Sequence, residues 1–275
     1  MLSFLRLAGF FAFTGFGAAC VLTQSLWTRS TSGRDRVAGR WIHRWARVGC
    51  WLAGVRVTVV GKPPAGGTLI VPNHLGYADV LAMGLAVPCY FAPKSDAGSW
   101  PVVGPVVRVA RLPLVERRPG DRSLAQVAAK IGDLLADGHN VCVFLEGTST
   151  GGDKVLPFRP ALVQAALDRG APLLPTALVW SADDPRVEVA EHVAYWKDHV
   201  FGPHAWAFFG LRGVRVEIRF GEPIPTAGET DRKALAQRAR AQVVALMGFP
   251  AEASPESVRN SPEADAALLA PSSES

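Results

Sequence analysis

The chain has 275 residues, enough for one sizeable core, and 49% of them are hydrophobic, which excludes a disordered or fibrous protein. Charged residues make up only 19%, against roughly 25% in soluble globular chains, and the mean hydropathy is +0.17, so contact with lipid is expected. The net charge of +5 is unevenly held: residues 1–60 carry eight arginines against Asp35 alone, residues 251–275 carry Arg259 against five acids, and the middle is close to neutral, which speaks against a nucleic-acid-binding surface.

From Leu7 to Trp27 there is no charged residue, and a helix of that length reaches about 31 Å, the thickness of a bilayer's hydrocarbon core. A cleaved signal is the competing reading. Gly17-Ala18-Ala19-Cys20 resembles a lipoprotein cleavage box, but Gly17 stands where a branched apolar residue is needed, and the arginines that follow favour retention on the cytoplasmic side. An uncleaved membrane anchor is therefore expected, with the rest of the protein in the cytoplasm.

Residues 35–53 predict an amphipathic helix. Arg36, Arg40, Arg44 and Arg47 fall on one face, and Val37, Trp41, Trp45, Val48 and Leu52 on another. Such a helix suits the membrane interface, with arginines at the lipid phosphates and tryptophans at the headgroups, or else packs its apolar face on a protein core.

Strands are then predicted at Val55–Val60, Thr68–Pro72, Leu112–Val115, Val141–Leu145 and Leu173–Trp180. The strict alternation of Val214–Phe220 predicts an edge or half-buried strand. Helices are predicted at Asp79–Val87, Ser123–Asp137, Pro160–Arg169 and Thr230–Met247, and residues 102–109 form an apolar stretch punctuated by prolines. After Pro250 the chain is rich in Ala, Ser, Pro and Glu with no aromatic residue. These elements predict three parts: an anchor and interfacial helix over 1–54, one α/β domain over 55–248 and a disordered tail over 249–275.

Two polar loops interrupt the apolar pattern at the ends of predicted strands, where open α/β sheets bind ligands. In Asn73-His74-Leu75-Gly76-Tyr77-Ala78-Asp79, a turn between His74 and Asp79 lets the carboxylate hold one ring nitrogen and leaves the other free as a base. In Phe144-Leu145-Glu146-Gly147-Thr148-Ser149-Thr150-Gly151, a carboxylate and two glycines flank three hydroxyls. The same loop spells Gly-x-Ser-x-Gly, the pattern of a serine hydrolase with Ser149 as nucleophile. A nucleophile elbow must enter a helix at once, and Gly152, Asp153, Pro157 and Pro160 oppose that. Arg111, Arg117, Arg118 and Arg122 form either an anion site or a solvated basic rim. Of the histidines, His139 is expected to be exposed in a turn and His204 to be a packed loop residue. Neither the histidines nor the four cysteines show metal-site spacing, and Cys20, Cys50, Cys89 and Cys142 read as reduced thiols.

Taken together and in this order, these motifs resemble the glycerolipid acyltransferase family over nearly the whole chain. Asn73-His74 to Asp79 matches its NHxxxxD block. Lys94, Trp100, Pro101 and Gly104 match a Lys and Trp-Pro stretch, and Arg117 closes the second block. Phe144–Thr148 matches FPEGT, and Leu174-Pro175 matches the fourth block.

The resemblance implies a central mixed sheet flanked by helices and an O-acyl transfer from acyl-CoA or acyl carrier protein, needing no metal or other cofactor. His74 and Asp79 would be catalytic. Asn73, Lys94, Arg117, Glu146, Gly147 and Thr148 would bind substrate, with Arg117, Glu146 and Gly147 at the acceptor's head group. Backbone amides near His74 would steady the oxyanion. The partners implied are a bilayer and a lysolipid acceptor, with the catalytic domain on the cytoplasmic side of the inner membrane.

Phosphatidate formation from 1-acylglycerol-3-phosphate is the family's default reaction. Leu145 replaces the Pro of FPEGT, and Ser149-Thr150 stands where phosphatidate-forming members carry Arg-Ser. That loop, with Tyr195-Trp196 and Pro203-His204-Ala205-Trp206, is closer to the lyso-ornithine lipid acyltransferases. A serine hydrolase and a non-catalytic lipid-binding module are the alternatives of other classes.

Overall fold

The computed structural model describes residues 1–92 and 123–249. Lys94, Trp100, Pro101, Gly104, Arg111, Arg117, Arg118 and Arg122, the strand expected at 112–115, the apolar stretch at 102–109 and the tail from Pro250 lie outside the described residues.

Two long helices come first. α1 (Leu2–Trp27) has 26 residues and is long and apolar enough to cross a bilayer. α2 (Thr31–Ala53) starts where the Ser30 hydroxyl accepts from the Gly33 N–H and stops at Gly54, which takes a left-handed conformation. The two run antiparallel, because Phe10 meets Trp45 and Phe16 meets Trp41. The Trp45 indole also donates to Thr14 Oγ1 at 2.9 Å. Trp41 and Trp45 therefore pack against α1, while Arg36, Arg40, Arg44 and Arg47 stay exposed, the Arg44 guanidinium 5.1 Å over the Trp41 ring. The apolar face of α2 thus packs on protein.

Among the described residues six strands form one sheet: β1 (Val55–Val60), β2 (Leu69–Pro72), β3 (Cys89–Phe91), β4 (Asn140–Cys142), β5 (Leu173–Ala182) and β6 (Val214–Phe220). Their order is β1-β6-β5-β2-β4-β3. Only β5 and β6 pair antiparallel, so the sheet is mixed. β6 lies between β1 and β5, so of the two placements expected, edge or half-buried, it takes the half-buried one. Its alternation arises because Val214, Val216, Ile218 and Phe220 face the core while Arg215, Glu217 and Arg219 look outward. β3 was not expected from the sequence, since three buried residues are too few to show a period.

The helices are α3 (Tyr77–Ala86), α4 (Ser123–Ala136), α5 (Gln164–Arg169), α6 (Phe201–Phe208) and α7 (Arg232–Met247). α3 begins two residues before Asp79, so that Asp79 sits inside its first turn. α6 forms where a loop was expected; Pro203 in its first turn needs no N–H partner there. α2 and α3 cover one face of the sheet, and α4, α5 and α7 belong to the other. β2 and β4 are parallel neighbours, so the segments leaving their C-terminal ends, 73–79 and 143–152, emerge side by side.

Candidate active site

The site is built on the turn between β2 and α3. Asn73 is buried and prolongs β2 with its side chain: Leu178 N–H donates to its Oδ1 at 2.7 Å, and its Nδ2 donates to Leu178 O at 3.2 Å. A paired amide of this kind imitates a strand neighbour and fixes where His74 begins. Asn73 is thus placed to hold the turn, which corrects its expected contact with substrate.

His74 Nδ1 lies 2.8 Å from Asp79 Oδ2. The same oxygen accepts from Leu75 N–H at 2.6 Å and Gly76 N–H at 2.9 Å, so it is an acceptor throughout and His74 Nδ1 carries the proton. In the neutral ring that leaves Nε2 with its lone pair. Asp79 is 0% exposed, whereas the His74 side chain is 22% exposed, its ring stacked at 3.9 Å on Phe144. A buried carboxylate therefore orients a partly exposed imidazole, an arrangement that can serve a general base.

The second loop supports the first. Glu146 is buried; its Oε1 accepts from His74 N–H at 2.8 Å and its Oε2 from Leu156 N–H at 2.7 Å. Burial pushes its carboxyl up to about 8, against the pull of the Leu156 and His74 N–H groups. Thr150 N–H donates to His74 O at 2.9 Å. Glu146 was expected at the acceptor's head group; the structure turns both its oxygens onto backbone instead. The N–H groups of His74, Leu75 and Gly76 are all held by carboxyl oxygens, so any oxyanion donor comes from other amides near this loop.

Support reaches further out. From α7, Arg240 donates to Val155 O and Leu156 O, which fixes the segment that carries the Leu156 N–H to Glu146. Tyr195 N–H donates to Leu75 O at 2.8 Å, and a side chain at Gly76 would meet Tyr195 Cβ at 2.8 Å, so only glycine fits beneath it. Tyr77 OH and His204 Nδ1 are 2.9 Å apart. His204 is packed as expected, but in α6, and burial lowers its affinity for a proton. His139, expected to be exposed, is half-buried beside Tyr90.

Gly147 has φ 75°, a conformation that suits glycine, and a Cβ there would lie 2.8 Å from Arg159 Nε. The exposed Arg159 guanidinium thus lies against the loop; sequence reading missed it because it stands thirteen residues beyond Glu146. Thr148 is exposed on the same loop. Ser149 Oγ donates to Tyr195 O at 2.5 Å, and the next helical turn begins only at Pro160, so no nucleophile elbow forms.

A model of the acyltransferase family matches residues 56–179. The chain is similar to the lyso-ornithine lipid O-acyltransferase of Rhodobacter capsulatus, with 30% identity over 72% of each chain. That of Brucella abortus is also 30% identical, over 82% of this chain and 86% of the other. The 1-acyl-sn-glycerol-3-phosphate acyltransferase of Neisseria gonorrhoeae is 26% identical over 70% of this chain and 75% of its own. Among solved structures, the 1-acyl-sn-glycerophosphate acyltransferase of Thermotoga maritima shares the fold, with a TM-score of 0.60 and 20% identity over 90% of this chain and 97% of that one.

Proposed function

The chain belongs to the acyltransferase family, and on that premise we propose that it moves a fatty acyl group from a thioester to the free hydroxyl of a lysolipid. The observation that carries this reading is the His74 Nδ1–Asp79 Oδ2 contact of 2.8 Å, buried on the Asp79 side and open on the His74 side.

In the proposed reaction His74 Nε2 takes the hydroxyl proton as the lysolipid oxygen attacks the thioester carbonyl. Asp79 holds the ring and offsets the charge of the imidazolium. The tetrahedral intermediate then collapses: the C–S bond breaks, His74 returns the proton to the leaving thiolate, and an ester and a free thiol result. No acyl-enzyme forms, in keeping with the engaged Ser149 hydroxyl.

Thr148 and Gly147, with Arg159 against them, face the acceptor's polar head in this reading. Lys94 and Arg117 are assigned to substrate from their motifs. The favoured acceptor is a lyso-ornithine lipid, because no arginine follows Glu146-Gly147-Thr148 and the first relatives carry that name. Lysophosphatidate is the second acceptor to consider, supported by the Neisseria relative. The donor is acyl-CoA or acyl carrier protein. Both are acidic and cytosolic, which suits an arginine-rich face on the cytoplasmic side of the inner membrane.

The test is acyl transfer by membranes containing the protein, with labelled acyl-CoA or acyl carrier protein and both lysolipids side by side. A product from lyso-ornithine lipid that is lost in His74→Ala supports the reading. Product from lysophosphatidate alone moves the acceptor to the second choice. Turnover that survives in His74→Ala rejects the mechanism.

A further inference from the structure

We propose that Trp180 is a positioning residue for the His74–Asp79 pair, holding the carboxylate through its indole N–H. The proposal rests on the acyltransferase reading for its kinetic consequences, though not for its geometry.

The Asp79 carboxylate is wholly buried and its two oxygens are served unequally. Oδ2 accepts from His74, Leu75 and Gly76, all within the turn itself. Oδ1 accepts from Trp180 Nε1 at 2.8 Å, a residue 101 positions away on β5. An indole has one donor, and here it goes to that oxygen. Trp180 is itself only 8% exposed, and its indole nitrogen is spent on the buried carboxylate.

A carboxylate gripped at one oxygen pivots about that oxygen; one gripped at both has a fixed plane. The Nδ1–H of His74 must meet Oδ2 in that plane for the ring to point Nε2 at the same place in each turnover. Without the indole N–H, Oδ1 is a buried charged acceptor with no partner, and it either rotates to compete for the His74 proton or draws water into the core. β5 thereby holds both ends of the turn, Asn73 through the backbone of Leu178 and Asp79 through the side chain of Trp180. Glu146 and Cys142, both on the β4 side, feel the charge of Asp79, and Trp180 is itself uncharged, so replacing it adds or removes no charge beside the carboxylate.

A core tryptophan lost for its bulk would mimic part of this effect, so the test separates the N–H from the ring. Trp180 is replaced by benzothienylalanine, which keeps the two rings and has sulfur in place of N–H, and in parallel by Phe. Both proteins are assayed as the full chain in membranes or detergent. The expected result is a kcat lower by about tenfold or more in both, acceptor and donor KM within about twofold, and an acidic limb of the rate profile displaced by about half a pH unit.

The low-field proton resonance of His74 Nδ1 should move in both variants, which reports the pair's geometry without needing turnover. If the benzothienylalanine protein keeps the wild-type kcat, pH profile and resonance while Phe loses activity, Trp180 is packing only and the proposal is overturned. If wild-type protein acylates no lysolipid but the resonance still moves, the acyltransferase reading fails and the positioning role stands.

Discussion

At the scale of single residues, Glu146 shows how far a side chain's type can mislead about its task. A carboxylate in a polar loop reads as a ligand for a head group, yet burial turns it inward to two backbone N–H groups. Its raised pKa makes it a pH-dependent element of stability. A free glutamate loses its proton near 4.5 and the folded one near 8. Below the lower value both states are protonated and stability is full; between the two the unfolded chain ionises while the fold resists, so stability falls with rising pH. The melting temperature should therefore drop from pH 5 to pH 8 more steeply in wild type than in Glu146→Gln. Parallel slopes for the two proteins would reject this account.

Arg159 gives a second prediction at the same scale. Removing its charge with Arg159→Gln should raise the acceptor KM by about tenfold, roughly 1.4 kcal/mol, and leave kcat nearly unchanged. The effect should be present with lyso-ornithine lipid or lysophosphatidate and small with an uncharged lysolipid such as monoacylglycerol. An equal effect on charged and uncharged acceptors would assign Arg159 to the loop's shape alone.

At the scale of elements, the turn from Asn73 to Asp79 is short because its neighbours hold it. β2 ends at Pro72, and Asn73 extends the pairing with β5 by its side-chain amide alone. Asn73→Ala leaves the Leu178 N–H and C=O buried without partners, which costs about 2–4 kcal/mol in stability and loosens His74. We expect a lower denaturation midpoint together with a fall in kcat, and little change in either KM. A stable variant with only a raised acceptor KM would return Asn73 to the substrate-binding role first expected for it.

α3 tells a related story. It starts at Tyr77, two residues earlier than the Asp79 start expected from the sequence, so Asp79 falls within its first turn and the carboxylate caps the Gly76 N–H while it holds His74. β3 and α6 were illegible for different reasons: β3 has no room for a period, and α6 opens with Gly202 and Pro203, which read as loop until packing supplies the helix.

For the molecule as a whole, the antiparallel pairing of α1 and α2 constrains the membrane contact. Arg6 at the start of α1 donates to Phe209 O at 3.1 Å and Leu211 O at 2.7 Å, which ties that end of the helix to the segment after α6. Four exposed arginines run beside α1 on α2, so a crossing by α1 with α2 at its side would carry them into hydrocarbon. A pair lying at the surface of a bilayer instead keeps the arginines among the lipid phosphates and puts the exposed Phe16, Leu22, Leu26 and Trp27 of α1 in the acyl layer, an arrangement that vesicle binding tests. Each arginine near an anionic surface contributes about 1 kcal/mol, so replacing Arg36, Arg40, Arg44 and Arg47 with Gln should weaken sedimentation with anionic vesicles at least roughly tenfold and leave neutral vesicles unaffected. Equal loss on both vesicle types would point to a damaged helix pair instead.

The sequence by itself determined the class of the molecule. The apolar first helix, the arginine face of the second, the alternation of helices and strands and the two polar loops are local patterns, and local patterns survive in a one-dimensional reading because each rests on neighbours a few residues apart. The pairing of His74 with Asp79 was legible for the same reason. What only the tertiary structure decided is which groups face each other across a hundred residues: Asn73 with Leu178, Asp79 with Trp180, Glu146 with the amide of His74, Arg240 with the segment at Val155. These contacts depend on strand order and on burial, and burial is what makes a polar side chain turn to the nearest unpaired backbone group. The sequence therefore brought His74 and Asp79 together as the structure does, while the backbone partners of Asn73 and Glu146 lay beyond its reach, because the need to satisfy a buried hydrogen-bonding group appears only when the core has closed around it.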